Sequence, residues 1–363
     1  MPVTADPVGR PVAEVDTPAL LIDLAALERN LDRMAALGRR TGKGIRPHAK
    51  THKSREIARM QLARGAIGIT CAKLGEAEVL AEAGIAPLLV STEITGGLKV
   101  ARLIALARRT KTLTVVDDVE GALAISSAAV NAGLRVGVLV DVNVGQGRSG
   151  VAPEGAADLA ARVAELPGLR FLGLQAYEGH LQHVYDAADR LRGWREAIAR
   201  LASARAAIEG RGLTVEIAST AGTGTSDFAA GHPAVTDVQP GSYVFMDCDY
   251  GRVETLPYES ALTVLTSVVS RQRPDAVLVD AGWKAVTVEA GMPIVKGHPE
   301  LVYATMGDEH GALRGETRPG LGERVELVPS HCDTTVNLYD RYHVIRDGMV
   351  EAIWPIDARG RTQ

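Results

Sequence analysis

Short apolar runs alternate with longer segments of helical periodicity between residues 45 and 245, and this alternation constrains the fold more than any other feature. Repeated strand–helix units are typical of parallel strands joined by right-handed crossovers. The apolar runs are 45–50, 68–72, 87–92, 113–117, 136–143, 169–177, 215–219 and 242–245, and the helical segments are 53–64, 74–83, 97–109, 119–132, 154–166 and 187–209. Eight runs predict an α/β fold, a (β/α)8 TIM-type barrel of about 250 residues. A doubly wound open sheet is the alternative, but no Gly-x-Gly-x-x-Gly loop follows the first strand.

The alternation stops near Tyr250, and the remaining apolar runs are separated by hairpin-length links with little helix. Strands are predicted at 261–269, 276–280, 324–328, 343–346 and 349–354. An earlier short strand at 19–22 precedes a helix that Asp23 should cap. We therefore assign residues 24–250 to the barrel, and residues 1–23 and 251–363 to a second, mainly β domain. The first 15 residues are expected to form a poorly ordered arm.

The charge balance excludes several classes of partner. The chain carries 44 acidic and 40 basic residues, so no global attraction to nucleic acid or to an anionic membrane is expected. No apolar stretch approaches the length of a membrane span. Three widely spaced cysteines argue against a disulfide framework, and the first residues lack a basic start and an apolar run. We expect a cytoplasmic protein.

A dense basic stretch, residues 46–53, ends the first apolar run. In an extended chain His48, Lys50 and His52 would share one face. Neighbouring cations lower the pKa of a lysine, which makes its amine a nucleophile suited to forming a Schiff base with an aldehyde. The alternative is a solvated basic loop or a phosphate or nucleic-acid patch, which the acidic balance of the whole chain disfavours.

Polar residues follow four of the predicted strands at their carboxyl ends, where barrels of this type place their chemistry. Lys50 ends the first run, and Arg148 follows the fifth. Tyr177 ends the sixth run and is followed by His183. The seventh run leads into Ser219–Ser226, a loop of small residues whose backbone N–H groups and hydroxyls suit a phosphate group. A plain turn is the alternative reading of this loop.

The predicted β domain contributes a possible metal site at His331 and Asp333. These residues are two apart after the apolar strand at 324–328, so in an extended chain they face the same side and Cys332 faces the other. One nitrogen and one oxygen ligand suit a divalent ion. A pair this short also occurs without a metal.

Four motifs, in matching order, resemble the D-threonine aldolase and D-serine dehydratase family. They are Arg-Pro-His-Ala-Lys-Thr-His-Lys at 46–53, the Gly/Thr-rich loop, Gln-Pro-Gly-Ser-Tyr at 239–243 and Pro-Ser-His-Cys-Asp at 329–333. The family consists of pyridoxal 5'-phosphate (PLP) enzymes with the alanine racemase-type fold, a (β/α)8 barrel plus a β domain. The resemblance runs from about residue 16 to residue 354 and implies a homodimer. The Gly/Thr-rich loop departs from the family pattern, because it lacks the first glycine and the proline found there in the family.

The resemblance implies a role for each candidate residue. Lys50 would be the Schiff-base lysine, and His183 would be the catalytic base. His331 and Asp333 would bind a divalent metal, with Mn²⁺ preferred over Mg²⁺ or Zn²⁺. The further cofactor contacts that it implies are Arg148, Tyr177, Gly222, Thr223, Gly241, Ser242 and Tyr243.

The resemblance also implies an activity, the cleavage of D-threonine and related D-β-hydroxy-α-amino acids to glycine and an aldehyde. Aldolase-like members carry His-x-Asp where dehydratase-like members carry His-x-Cys, so Asp333 favours the aldolase. The alternatives are 3-hydroxy-D-aspartate aldolase and a dehydratase acting on D-serine or 3-hydroxy-D-aspartate. An amino-acid racemase and a non-catalytic PLP-binding protein are more remote, and the β domain with its metal pair counts against the last.

Overall fold

The computed structural model describes residues 7–363. Its helices are α1 (Leu24–Thr41), α2 (Arg55–Ala63), α3 (Leu74–Glu82), α4 (Gly97–Arg109), α5 (Val119–Asn131), α6 (Ala156–Glu165), α7 (Ala187–Gly210), α8 (Ser226–Ala230) and α9 (Cys332–Val336). The predicted helices between the apolar runs are confirmed as α2 to α7. Asp23 caps α1 as expected, because its Oδ1 accepts the Ala26 N–H at 3.0 Å.

The strands fall into two sheets. They are β1 (Ala19–Asp23), β2 (Gly44–Ile45), β3 (Ile69–Cys71), β4 (Leu88–Val90), β5 (Thr112–Val116), β6 (Val136–Asp141), β7 (Leu169–Ala176), β8 (Ile217–Thr220), β9 (Asp237–Val238), β10 (Leu262–Ser270), β11 (Val277–Val279), β12 (Ile294–Val295), β13 (Val302–Thr305), β14 (Gly311–Arg314), β15 (Arg324–Val328), β16 (Arg341–Arg346) and β17 (Met349–Pro355). Short 3₁₀ turns lie at Val12–Glu14, Pro153–Gly155, Gly179–Leu181, Ser242–Val244 and Tyr250–Arg252.

Eight parallel strands form a curled sheet in the order β2-β9-β8-β7-β6-β5-β4-β3. A parallel bridge between His48 and Thr70 joins its two edges and closes the barrel. Alternate strand residues separate into two cores, as barrel geometry requires. The smaller core comprises Leu89, Leu113, Val115, Leu139 and Leu172, and their strand neighbours pack in the larger core against the helices. The predicted α/β barrel is confirmed.

Two predicted barrel strands are wrong in detail. The eighth strand is Asp237–Val238, whereas residues 242–244 form a 3₁₀ turn. Pro240 interrupts the chain between them, since proline has no N–H to continue a ladder. The run at 242–245 is apolar because its side chains are buried, not because it is extended. The first strand ends at Ile45, so residues 46–50 are not a continuous strand.

The second sheet is mainly antiparallel, in the order β11-β14-β13-β12-β15-β10-β1-β16-β17, and an additional β11–β10 pairing closes part of it into a small barrel. The five strands predicted after residue 250 are confirmed as β10, β11, β15, β16 and β17. Strands β12 to β14 were missed because each is only two to four residues long. Strand β1 lies between β10 and β16, which ties the amino-terminal strand to the β sheet. The domain boundaries at residues 23 and 250 stay a prediction.

The predicted poorly ordered arm is wrong for residues 7–15, and residues 1–6 lie outside the described part of the chain. The Gly9 N–H donates to the Val350 oxygen at 2.8 Å, and the Val350 N–H donates to the Arg10 oxygen at 2.8 Å. These bonds hold the segment on β17. Across residues 7–363, no helix combines the length and the apolar character needed to cross a bilayer.

The bulged strand β7 depends on a glycine. Gly173 has a φ of +142°, and a Cβ there would lie 1.9 Å from the Ile217 carbonyl oxygen on β8. We expect Gly173→Ala to lower the free energy of unfolding by about 2–4 kcal/mol, measured by urea denaturation, because backbone strain and overpacking add. Gly121→Ala in α5, where a Cβ meets no atom within 4 Å, is the control and should not destabilise. Equal stability of the two variants would contradict this account.

Candidate active site

A cleft of about 570 Å³ opens at the carboxyl ends of the barrel strands. The residues that line it are His48, Lys50, Ala72, Ser91, Thr92, Arg148, Gln175, Tyr177, Gly222, Thr223, Gln239, Gly241, Ser242 and Tyr250. The structure therefore brings together seven of the predicted site residues, Lys50, Arg148, Tyr177, Gly222, Thr223, Gly241 and Ser242.

Several lining residues were not predicted. Ser91 and Gln175 lie at the carboxyl ends of β4 and β7, so the strand-end rule that identified Lys50 also covers them. Ser91 Oγ lies 3.3 Å from His48 Nε2. Tyr250 lies in a turn without strand or helix periodicity, so the sequence gives no signal for it.

The basic stretch does not form one cationic face. His52 is fully buried, and its Nδ1 accepts the Ser54 N–H at 3.1 Å. Lys53 turns the other way with a φ of +51°, and its Nζ pairs with Glu76 Oε1 at 2.5 Å. The expectation of like-charge crowding around Lys50 is therefore wrong, because the chain turns after His48 instead of continuing as a strand.

Lys50 instead forms an ion pair with Asp333 of the β domain. Burial disfavours the charged amine, but the charge and hydrogen bond of Asp333, together with Tyr177 and Cys332, outweigh burial and raise the pKa of Lys50. In the same way burial favours a neutral carboxyl, but the Lys50 charge holds the pKa of Asp333 well below its usual range. The contact places a barrel amine beside a carboxylate of the second domain.

The glycine-rich loop after β8 is braced by two buried side chains of the β7–α7 connection. Glu178 accepts the Thr225 hydroxyl at 2.6 Å and the Ala221 N–H at 3.2 Å, and Gln182 Oε1 accepts the Gly224 N–H at 2.8 Å. The N–H groups of Ala221 and Gly224 therefore bind protein oxygens, so the loop has fewer backbone donors free for a phosphate than the sequence suggested. Gly222 and Thr223 are the loop residues that line the cleft.

Tyr243 lies apart from the other predicted phosphate contacts. Its backbone N–H donates to Thr223 Oγ1 at 3.0 Å, and its phenol oxygen accepts from Gln61 Nε2 at 3.1 Å on the far side of the 3₁₀ turn. The side chain is 2% exposed and does not line the cleft. Its contact with Thr223 supports the loop that does.

Arg148 and Tyr177 form one wall of the cleft, with the guanidinium carbon 5.7 Å from the phenol ring centroid. Burial raises the pKa of Tyr177, although the neighbouring Lys50 charge opposes the shift. A neutral phenol and a permanent cation therefore line the same cleft as Lys50.

His183 packs against Tyr250, which lines the cleft. The centroids of the two rings lie 4.7 Å apart. His183 Nδ1 lies 2.6 Å from Asp249 Oδ2. Asp249 also accepts the Tyr185 hydroxyl at 2.5 Å. The sequence drew attention to His183 but gave no signal for Asp249.

The predicted metal pair stands at the start of α9. His331 is extended, whereas Asp333 lies in the first helical turn, so the segment is not a continuous strand as expected. Cys332 is fully buried, but its Sγ lies 3.6 Å from Asp333 Oδ1, so it does not face away from Asp333 as expected. His331 Nδ1 lies 2.9 Å from Glu289 Oε1. Within residues 7–363, no group of three or more His, Cys, Asp or Glu side chains is arranged as a metal site, so the protein offers at most a two-residue site here.

Behind the cleft, Asp141 accepts hydrogen bonds from Gln175 at 3.0 Å and Ser149 at 3.1 Å. Burial raises the pKa of Asp141 to about 7, with the hydrogen bond from Gln175 opposing the shift and the Glu93 charge adding to it. Between about pH 4 and pH 7, Asp141 therefore holds a proton in the folded protein that it has lost in the unfolded chain. This contribution to stability falls as pH rises from about 4 to 7.

We expect Asp141→Asn to remove this pH dependence, since an amide does not titrate and can still bond to Gln175 and Ser149. Urea denaturation from pH 4 to pH 8 should show the variant gaining stability over the wild type as pH rises. Asp347→Asn, at an exposed turn, is the control. Parallel stability curves for Asp141→Asn and the wild type would refute the assignment.

Comparison with known proteins defines the class of this fold. Residues 22–249 match the model of the alanine racemase N-terminal domain, and residues 261–345 match a putative serine dehydratase domain. The protein is therefore an alanine racemase-type barrel joined to a serine dehydratase-type β domain.

Full-length relatives narrow this class. The chain is 44% identical to D-threonine aldolase of an Arthrobacter species, over 99% of this chain and 97% of that protein. It is 39% identical to 3-hydroxy-D-aspartate aldolase of Paracoccus denitrificans, over 97% of this chain and 94% of that protein. The crystal structure of D-threonine aldolase from Filomicrobium marinum matches with a TM-score of 0.97 and 41% identity, covering 99% of this chain and all of that one. The chain belongs to the D-threonine aldolase family of alanine racemase-type proteins, which confirms the resemblance.

PLP is expected of the alanine racemase-like family, and the cleft fits it. An amine, a guanidinium and two hydroxyls, those of Thr223 and Ser242, face one space, which matches an aldehyde, a phenolate and a phosphate. The backbone at Gly241 is pressed against protein, since a Cβ there would lie 2.7 Å from Thr51 Oγ1. A side chain at this position would therefore press on Thr51.

Proposed function

We propose that this chain is a PLP- and metal-dependent aldolase that cleaves D-threonine and related D-β-hydroxy-α-amino acids into glycine and an aldehyde. The observation that carries the proposal is the contact between Lys50 and Asp333. It places the amine that would hold the cofactor next to a carboxylate that would hold the metal. In a β-hydroxy-α-amino acid, the amino group for the cofactor is on Cα and the hydroxyl for the metal is on the adjacent Cβ. The cofactor and the metal must therefore be neighbours.

The barrel residues hold the cofactor in this proposal. Lys50 provides the amine for its aldehyde, and Arg148 the cation for its phenolic oxygen. Gly222, Thr223, Gly241 and Ser242 receive the phosphate, with Tyr243 supporting Thr223 from behind. When bound, PLP supplies an electron sink for the pair released as the Cα–Cβ bond breaks.

His331 and Asp333 hold the divalent metal, for which we propose Mn²⁺ before Mg²⁺ or Zn²⁺. When bound, the metal supplies a Lewis acid that acidifies the substrate β-hydroxyl. His183 takes the hydroxyl proton as general base. Tyr177, which lines the cleft with Lys50 and Arg148, would lie beside the cofactor near the reacting carbon in this proposal.

Two other activities have specific support. The 3-hydroxy-D-aspartate aldolase relative carries out, by its name, the same kind of cleavage on another substrate. D-threo-3-hydroxyaspartate dehydratase of a Delftia strain is 30% identical over 93% of this chain. Asp333 favours cleavage over elimination, because the resemblance associates cysteine at this position with dehydratases.

The homodimer and the cytoplasmic location belong to this proposal as well. The family resemblance supports the dimer. The three cysteines, Cys71, Cys248 and Cys332, are all unpaired, which suits a reducing compartment.

Lys50→Ala is expected to abolish covalent attachment of PLP, because it removes the amine that reacts with the aldehyde. Borohydride reduction followed by peptide mass spectrometry should locate the cofactor on residue 50 of the wild type and on no residue of the variant. Lys111→Ala, at an exposed barrel lysine, is the control. Borohydride-stable cofactor in Lys50→Ala would disprove the assignment.

Metal removal by EDTA, or the Asp333→Ala substitution, is expected to lower aldehyde and glycine release from D-threonine by about 100-fold or more, since the β-hydroxyl loses its Lewis acid. The visible absorbance of PLP should remain. Asp340→Ala, at an exposed loop position, is the control. Full turnover after chelation would exclude the metal role, and faster pyruvate release from D-serine than cleavage of D-threonine would favour the dehydratase.

A further inference from the structure

The two histidines of the proposed site make the same contact with the protein. His183 Nδ1 lies 2.6 Å from Asp249 Oδ2, and His331 Nδ1 lies 2.9 Å from Glu289 Oε1. We propose that Asp249 and Glu289 are positioning residues that keep the proton on Nδ1 and leave the Nε2 lone pair for the chemistry. The inference rests on the proposed function, because it takes His183 as the base and His331 as a metal ligand.

The chemistry of the contact sets the tautomer. An ionised carboxylate only accepts hydrogen bonds, so the imidazole nitrogen that faces it must be the donor. A neutral imidazole carries one N–H and one lone pair, and the lone pair is then on Nε2. A general base and a metal ligand both act through a lone pair. Either histidine in the other tautomer would present an N–H where the site needs an acceptor.

Asp249 is itself fixed from the side opposite His183. Its Oδ1 accepts the Tyr185 hydroxyl at 2.5 Å, and the Arg252 guanidinium lies 3.9 Å from the centroid of the Tyr185 ring. The Asp249 side chain is 14% exposed. Tyr250, the next residue, packs its ring on His183 and lines the cleft. Asp249 therefore fixes the Nδ1 hydrogen bond of the His183 imidazole, and the Tyr250 ring fixes the orientation of the imidazole plane.

Glu289 links His331 to Thr334, the residue after Asp333, through one oxygen. Its Oε1 accepts from both His331 and the Thr334 hydroxyl. Thr334 directly follows Asp333 on α9, and its Oγ1 also bonds Thr287 Oγ1 at 2.8 Å. Glu289 thus orients His331 relative to the helical turn that carries Asp333. Carboxylates that orient a metal-binding histidine in this way typically contribute 10- to 100-fold to metal affinity.

The chain also provides a matched control. His298 Nδ1 lies 3.1 Å from Glu300 Oε1, and the two side chains are 46% and 48% exposed. This is the same type of contact between neighbours in the sequence, outside the cleft. Glu300→Ala should leave turnover, PLP binding and Mn²⁺ affinity unchanged.

The first test concerns Asp249. In Asp249→Ala we expect kcat on D-threonine at saturating Mn²⁺ to fall about 10- to 100-fold, less than the loss of a whole general base. PLP absorbance and Mn²⁺ affinity should be retained. Asp249→Asn should recover part of kcat, because its amide oxygen can accept from His183 while its NH₂ faces the Tyr185 hydroxyl.

The second test concerns Glu289. In Glu289→Ala we expect Mn²⁺ binding, measured by isothermal titration on PLP-loaded protein, to weaken about 10- to 100-fold. Turnover should recover at high Mn²⁺, which it should not do in Asp249→Ala. Glu289→Gln should bind Mn²⁺ more tightly than Glu289→Ala, because it keeps one acceptor oxygen.

A third measurement does not depend on variant stability. Nitrogen NMR of ¹⁵N-histidine-labelled, PLP-loaded wild type with Mg²⁺ should show both site histidines protonated on Nδ1, with assignments from His183→Gln and His331→Gln. An Nε2–H signature for either histidine would overturn the inference, as would unchanged kcat in Asp249→Ala or unchanged Mn²⁺ affinity in Glu289→Ala. Unchanged turnover in His183→Gln would instead refute the proposed base, and with it the proposed mechanism.

Discussion

The ion pair between Lys50 and Asp333 is the interaction on which the site depends. Lys50 belongs to a turn between two barrel segments, and Asp333 belongs to a short helix of the β sheet domain. The Asp333 side chain is 12% exposed and that of Lys50 is 40% exposed, so the amine mainly offsets the cost of burying the carboxylate. The positions of the two groups that carry the proposed chemistry therefore depend on how the second sheet is placed against the barrel.

The periodic features of the sequence predicted most of the fold. Helices α2 to α7 and the strands on both sides of residue 250 carry apolar patterns long enough to recognise. The predicted strands are wrong where contacts with distant parts of the chain, and not the local apolar pattern, decide the structure. Asp237–Val238 is too short to show any period, whereas residues 242–245 are apolar because they are buried in a turn. Short strands such as β12 form because their neighbours on both sides are already in place.

The candidate site was predictable wherever a residue followed a strand or belonged to a motif, as Lys50 and Gly222 did. Its electrostatics were not, because the sequence shows which charges are neighbours along the chain and not which face each other. The cations at 46–53 diverge, and the decisive partner of Lys50 lies 283 positions away. The supporting carboxylates Asp249 and Glu289 belong to no motif, and only folding brings each to its histidine.

The position of strand β1 has a consequence for biosynthesis. This apolar strand is synthesised well before its neighbours, because its antiparallel partner β10 begins at Leu262 and its parallel partner β16 at Arg341. At translation rates of about 5–20 residues per second, the strand waits roughly 10–50 s for its first neighbour. The barrel in between can form during that interval, whereas the β sheet cannot be completed before the carboxyl-terminal third of the chain has emerged. An apolar segment left unpaired for so long exposes a strand edge that is prone to aggregate until the β sheet forms.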